Sequence, residues 1–335
     1  MKPVPLTRCV FVVPFANILN EMGAPTASLL AKFRLPAHLE EKPNHYITLF
    51  PALRFATTAQ GTQGIVDFGF KAGMRLGFDA LSNSFRDLVR YSPTLLVALQ
   101  QWCRFARLED IFLQFWLERH GNSMRICSVN MVPGAAEMPH LNHSQWLQNM
   151  MTIYIIRQFA GSDWAPENFA FQARYTPSVA TQSFWPNTRF LSGEKASWID
   201  IPISQLSLPN LASKQRRHQP QNGYLPIDID AINTLKLMLS SYLDERIPNI
   251  AEVAEIAGTS VRSLQREISL AGLTYTGLIE QVRFEKGAAM LRGSDTRIID
   301  VAHATGYSDP AHFTRAFRRF AGVTPREFRD QKRLQ

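Results

Sequence analysis

Apolar and polar residues follow two rhythms along this chain, and the change between them falls near residue 230. Over residues 84–119 the apolar runs built from Leu88, Val89, Leu95, Leu96, Val97, Leu99 and Phe105 pass with few breakers, which predicts helices. Residues 123–132 read as a strand, 144–159 as a helix, and 169–175 and 197–203 as strands. His120, within Arg119-His120-Gly121-Asn122, reads as part of a turn. The run 9–19 behind Lys2 and Arg8 resembles a short secretory core, but Pro14 and Asn17 interrupt it and no clean cleavage signal follows. A buried first element is the expectation there. The part before residue 209 is therefore expected to be an α+β domain. No apolar stretch reaches the 18 or so residues that a membrane helix needs.

Residues 209–229 are rich in Pro, Asn, Gln and basic residues and lack apolar periodicity, which predicts a linker between a domain at 1–208 and one at 230–335. Its basic cluster of Lys214, Arg216, Arg217 and His218 reads as a solvated charge run. Beyond it, short Ala-rich segments punctuated by breakers predict an all-α domain. That domain contains a repeat. Ile-Ala-Glu-Val-Ala-Glu-Ile-Ala-Gly-Thr-Ser at 250–260 returns as Ile-Ile-Asp-Val-Ala-His-Ala-Thr-Gly-Tyr-Ser at 298–308, an offset of 48.

In each copy a short helix ends at a glycine, and a serine two residues on can cap a second amphipathic helix. Gly258 and Gly306 allow a positive φ, and Ser260 and Ser308 are placed to accept from orphan helix amides. The arrangement predicts two helix-turn-helix motifs, at 250–270 and 298–321, with Ala254 and Ala302 where paired helices cross. In the first second-helix, Val261, Leu264 and Ile268 take the core side, leaving Arg262, Ser263, Gln265 and Arg266 outward. In the other, Phe313, Phe317 and Phe320 face inward, leaving Ala311, His312, Arg315, Ala316 and Arg319. Arginine can bind guanine bidentately, glutamine can pair with adenine, and alanine can touch a thymine methyl. Any exposed helix face carries Arg and Gln, but two copies with the same turn and polar face favour DNA reading. A helix at 276–292, capped by Thr276, is expected to join the motifs and to span about 25 Å. Successive major grooves lie about 34 Å apart, so one chain can address two of them.

The segment with Val-Ala-Glu-Ile-Ala-Gly-Thr-Ser-Val-Arg-Ser-Leu-Gln-Arg, then Ala-Thr-Gly-Tyr-Ser-Asp-Pro-Ala-His-Phe-Thr-Arg-Ala-Phe-Arg-Arg-Phe, resembles the AraC/XylS-type DNA-binding domain over about 100 residues. Gly322-Val323-Thr324-Pro325 followed by Phe328-Arg329 is similar to that family's closing signature. The resemblance puts Arg262, Gln265 and Arg266 at base-reading positions of the first recognition helix, and Ala311, His312 and Arg315 at those of the second. Pro310 and Ala311 depart from the usual polar residues, which implies few base hydrogen bonds from that end of the second helix. The earlier part, through Asp67-Phe68-Gly69-Phe70 and later Phe184, Phe190 and Leu191, resembles an arabinose-binding-type sensory domain. These likenesses imply a sequence-specific DNA-binding transcriptional regulator, an effector-responsive activator. Its expected partners are double-stranded DNA, a small-molecule effector, a second copy of the chain and RNA polymerase.

Charge supports a polyanionic partner without locating it. The chain carries 36 Lys/Arg against 28 Asp/Glu, yet residues 230–335 hold 15 basic and 13 acidic groups. Residues 296–335 alone hold 8 basic and 4 acidic groups, and Arg318 and Arg326 are candidate phosphate contacts. Cys9, Cys103 and Cys127 form no Cys-x-x-Cys pair, which suits a reducing compartment and the cytoplasm. The aromatics Trp102, Phe105, Phe112, Phe115 and Trp116 recur at helical spacing and read as core, with an apolar ligand pocket as the alternative. Glu137, His140 and His143 stand at i, i+3 and i+6 and would approach one metal on a helix, which gives the competing reading of a metal-dependent enzyme domain. Pro139 disfavours that helix, so no metal, cofactor or catalytic residue is expected. A nonspecific architectural DNA binder is the third reading, with equal salt dependence on every sequence.

Overall fold

A computed structural model of the chain describes residues 2–131, 141–210 and 230–333, which fall into two compact units. Among the described residues, the larger comprises 7–44, 49–131 and 141–210. Its helices are α1 (Val13–Glu21), α2 (Thr26–Lys32), α3 (Leu49–Gln63), α4 (Phe68–Arg75), α5 (Asn83–Arg90), α6 (Leu95–Phe105), α7 (Leu141–Ala160) and α8 (Val179–Phe184). Two three-residue strands, β1 (Leu6–Arg8) and β2 (Tyr46–Thr48), come early in the chain. A five-stranded sheet follows, from β3 (Leu113–His120), β4 (Ser123–Asn130), β5 (Asn168–Ala170), β6 (Arg189–Leu191) and β7 (Ser197–Pro202), in the order β3-β4-β7-β5-β6. Its pairs are antiparallel except β5 with β6. The α+β class expected for this part holds.

Residues 113–119 are strand and not the helix that their neighbours suggested. Leu113 and Phe115 are buried and Gln114 between them is exposed, the period of two that a half-buried strand shows. Leu113 lies opposite Asn130 and His120 opposite Ser123, so Gly121 and Asn122 make the connection, with Gly121 at φ +57°. The expected strand at 169–175 ends at Ala170: Phe171 N still donates to Leu191 O, the last bond of the β5–β6 ladder, and the Ala173 amide turns to the Gln145 side chain, Oε1 at 3.1 Å.

Helix α7 is buried around most of its circumference. Trp102 Nε1 donates to Thr152 Oγ1 at 3.0 Å, tying α6 to α7, and Asn149 Nδ2 donates to Ser197 Oγ at 2.7 Å, tying α7 to β7. The Asp67-Phe68-Gly69-Phe70 segment has a mechanical role here. Asp67 sits at φ +51°, and its carboxylate accepts the Tyr175 hydroxyl at 2.5 Å and the Ser178 amide at 2.8 Å. Burial works against that charge, but the hydrogen bonds from Ser178, Tyr175 and Thr181 hold the carboxyl below its ordinary range. A Cβ on Gly69 would lie 2.8 Å from His143 Cα, so only glycine lets α4 lie this close to α7.

The smaller unit contains the helices α9 (Ala231–Ser240), α10 (Ile250–Ile256), α11 (Val261–Leu270), α12 (Tyr275–Gly293), α13 (Ile298–Ala304), α14 (Pro310–Ala321) and α15 (Pro325–Arg333). It is all-α apart from two segments from the beginning of the chain, residues 2–6 and His45–Thr48. Buried polar residues of α9 and of its C-cap hold them: Val4 N donates to Thr234 Oγ1 at 3.0 Å, and Ser241 Oγ to Tyr46 O at 2.6 Å. Pro209 pairs with Thr94 and the buried Asn210 donates to Val89 O at 3.0 Å, while residues 211–229 lie outside the described residues. Among the described residues no helix is long and apolar enough to cross a membrane.

Candidate nucleic-acid interface

The first motif opens with a reciprocal cap. Asn249 Oδ1 accepts the Ala251 and Glu252 amides at 3.0 Å, and Glu252 Oε2 accepts the Asn249 amide at 2.8 Å. Helix α10 then stops at Gly258, φ +65°, and Thr259 N returns to Ala254 O at 2.8 Å. Ser260 caps α11 as its spacing predicted, accepting the Ser263 amide at 3.1 Å. Leu264 and Ile268 are fully buried, whereas Arg262, Gln265 and Arg266 are exposed. Ser263 is partly buried, and its hydroxyl accepts from Ser260 Oγ at 3.0 Å, so it serves the cap as well as the outward face.

The second motif repeats the design with different atoms. Gly306 adopts φ +78°, and a Cβ there would lie 2.2 Å from Leu243 O, a backbone atom that cannot swing aside. The cap of α14 is Asp309 and not Ser308: the Asp309 carboxylate accepts the Ala311 amide at 2.9 Å, and Pro310 fills the first helical position, where no amide is needed. Phe313 and Phe317 are buried, and Phe320, 41% exposed, stacks on Phe284 at 5.2 Å. Ala316, expected outward, is buried because it lies beside that aromatic row. Ala311, Arg315 and Arg318 fall within about 60° of one another on a helix of 3.6 residues per turn, and all three are exposed. His312 is exposed and sets its ring edge against Tyr307 at 5.6 Å. Arg319 is engaged within the unit, its Nη2 lying 2.7 Å from Glu280 Oε2 on α12.

Helix α12 joins the motifs and has Thr274, not Thr276, at its start, accepting the Gly277 amide at 3.0 Å. The helix begins at Tyr275, one residue before the expected range, and Leu278 and Val282 are buried on its core face. Arg283, which the sequence pattern did not single out, donates from α12 to Gly306 O at 3.2 Å and lies over the Tyr307 ring at 4.6 Å. It braces the second turn from behind. The closing signature is another cap: Gly322 ends α14 at φ +74°, and Thr324 and Glu327 bond reciprocally at 2.7 and 3.3 Å to start α15. Phe328 then lies 5.3 Å from Phe317. Arg326 is exposed.

Of the metal candidates, Glu137 and His140 lie outside the described residues. His143 is buried on α7 with the rings of Phe15 and Phe68 at 5.9 and 6.2 Å. Among the described residues no three His, Cys, Asp or Glu side chains come together as a metal site.

Two family profiles match the chain: a helix-turn-helix domain over residues 253–331 and the N-terminal arabinose-binding domain of AraC transcription regulators over residues 23–185. The HTH-type transcriptional activator RhaR of Yersinia pseudotuberculosis is 30% identical over 141 residues, 40% of this chain and 47% of that protein. The chain thus spans about half the length of that relative. The ornithine utilization regulator of Pseudomonas aeruginosa is 23% identical over 344 residues, covering 97% of this chain and 98% of that protein. The crystal structure of the transcriptional regulator CdpR from Pseudomonas aeruginosa covers 90% of this chain and 96% of its own at 16% identity, with a TM-score of 0.39. The sensory profile ahead of the helix-turn-helix profile, together with a relative that aligns over nearly the whole chain, supports an AraC-type transcription regulator.

Proposed function

We propose that the protein binds double-stranded DNA sequence-specifically through both helix-turn-helix motifs and activates transcription in response to a small effector held by the larger unit. The observation that carries this is the duplication itself. Two helices, each started by a side-chain cap after a positive-φ glycine, turn a cationic face outward from one helical unit braced by α12. That central helix has 19 residues, about 28 Å of rise, which approaches the spacing of successive major grooves.

In this reading Arg262, Gln265 and Arg266 read bases from α11, assisted by Ser263, and Ala311, His312 and Arg315 read them from α14. Arg318 and Arg326 contact phosphates and fix register. Arg319, held by Glu280, sets the seat of α14 on α12 and adds positive potential near the backbone. Residues 209–229 link the sensing part to the reading part. The activating sign is supported by the name of the RhaR relatives. A homodimer that works in the cytoplasm, contacts RNA polymerase and catalyses no reaction completes the proposal.

The test begins with a site selected in vitro by the full chain. Arg262→Ala, Gln265→Ala and Arg266→Ala should each cost about 1–3 kcal/mol at one cognate base pair and relax discrimination there. An equal loss on scrambled DNA would reduce these residues to phosphate contacts, and equal wild-type affinity for all sequences would leave an architectural binder.

A further inference from the structure

The larger unit encloses a cavity of about 50 Å³ between α1, α3, α7 and the turn that precedes β3. A single water needs roughly 10–15 Å³, so a short organic molecule is the natural occupant. Its wall is mainly apolar, formed by Phe11, Phe15, Leu53, Trp102, Leu113 and Met151. Two neighbouring acidic residues, Glu109 and Asp110, line it, and their carboxylates differ in one decisive respect.

Glu109 is compensated. The buried Arg8 guanidinium pairs with it and also donates to Ala80 O at 2.9 Å, and the Ser82 amide donates to its other oxygen at 3.1 Å. Asp110, 7% exposed, accepts the Phe112 amide at 3.3 Å, and among the described residues no cation pairs with it. Burial pushes its carboxyl up to about 7, against the pull of that amide. Gln148, Ser144 and His143 bring polar atoms to the α7 side of the cavity, but the first two are hydrogen-bonded to each other, Gln148 Nε2 to Ser144 Oγ at 2.6 Å. A lone buried carboxylate is costly until an opposite charge meets it. An apolar chamber with one such group matches a ligand that has a hydrocarbon body and one positive end.

We propose that the cavity is a binding site for a small aliphatic amine, whose ammonium group pairs with Asp110 while its carbon chain fills the space among Phe15, Trp102 and Met151. The proposal deepens, and rests on, the reading of the larger unit as an effector domain. Glu109 is already neutralised by Arg8, so the uncompensated Asp110 sets the charge of the ligand, and the class is cationic.

The test uses the full chain, with n-butylamine and 1-butanol as probes of matched size, titrated by calorimetry at neutral pH. The wild-type protein should bind the amine at least tenfold more tightly than the alcohol, and Asp110→Asn should remove that preference. Equal affinity for the two probes, no binding of either, or an Asp110→Asn protein that keeps the preference would each overturn the site. The wild-type comparison decides the matter even where the variant fails to fold. Affinity for the selected DNA site is then measured with and without butylamine. An amine that binds as described yet leaves DNA affinity unchanged would support the site while removing the effector role.

Discussion

Gly306→Ala isolates the backbone logic of the second motif, and Gly258→Ala is its internal control. Both glycines occupy the left-handed region, at φ +78° and +65°. An alanine there costs about 1–2 kcal/mol in conformation alone. At Gly258 nothing lies within 4 Å of the added carbon, so that is the whole cost. At Gly306 the carbon would meet Leu243 O at 2.2 Å and Leu243 C at 3.3 Å, and relief requires moving the chain after α9 or the turn itself. Overpacking of this kind adds about 1–3 kcal/mol, for a total of about 2–5 kcal/mol. Amide hydrogen exchange in the full chain reads the two motifs separately, because each opens locally with its own free energy. At about 1.4 kcal/mol per tenfold, Gly258→Ala should speed exchange in 250–270 by roughly 5- to 30-fold, and Gly306→Ala should speed it in 298–321 by roughly 30-fold or more. Similar acceleration by both variants would refute the steric argument and leave only the φ penalty.

Three other outcomes follow from named contacts. Asp67→Asn should lower the melting temperature at pH 7; because the folded carboxyl is held below its usual value, its contribution is present above about pH 3.9 and lost as pH falls through the folded value. Thermal scans of both proteins should therefore converge in acid, and a constant gap would contradict the assignment. Burial pushes the Cys103 and Cys127 thiols up to about 12 and about 11, so at pH 8 a thiol reagent should modify the native chain slowly and the urea-unfolded chain fast; rapid modification of the native protein at either cysteine would oppose this. Arg318→Ala should weaken binding by a similar factor on all DNA sequences and lower the salt slope by about 1, whereas a base-dependent loss would make Arg318 a reader.

The C-terminal architecture was legible because it is built from local rules repeated at an offset of 48. Where neighbouring residues could both serve as a cap, the detail of the first turn chose. Ser308 and Asp309 can both cap, and the helix starts after Asp309 because Pro310 suits the first turn. At α12 the sequence pointed to Thr276, whereas Thr274 accepts the Gly277 amide and starts the helix. In the larger unit, strand β3 was hidden by its short alternation directly after α6, although the turn at His120 and the strand behind it already required a partner. The bond from Val4 to Thr234 spans 230 positions, and no periodicity reports such a contact. Asp110 was invisible for a related reason: within Leu108-Glu109-Asp110-Ile111 it reads as a surface acid, and only the fold buries it.

Hydroxyl-radical footprinting of the full chain on its selected site tests the central claim most directly. Two protected stretches one helical turn apart on the same face, about 10 base pairs centre to centre, are expected. Arg262→Ala should erase contacts in one stretch and Arg315→Ala in the other. A single protected turn, or both substitutions acting on the same stretch, would contradict the account.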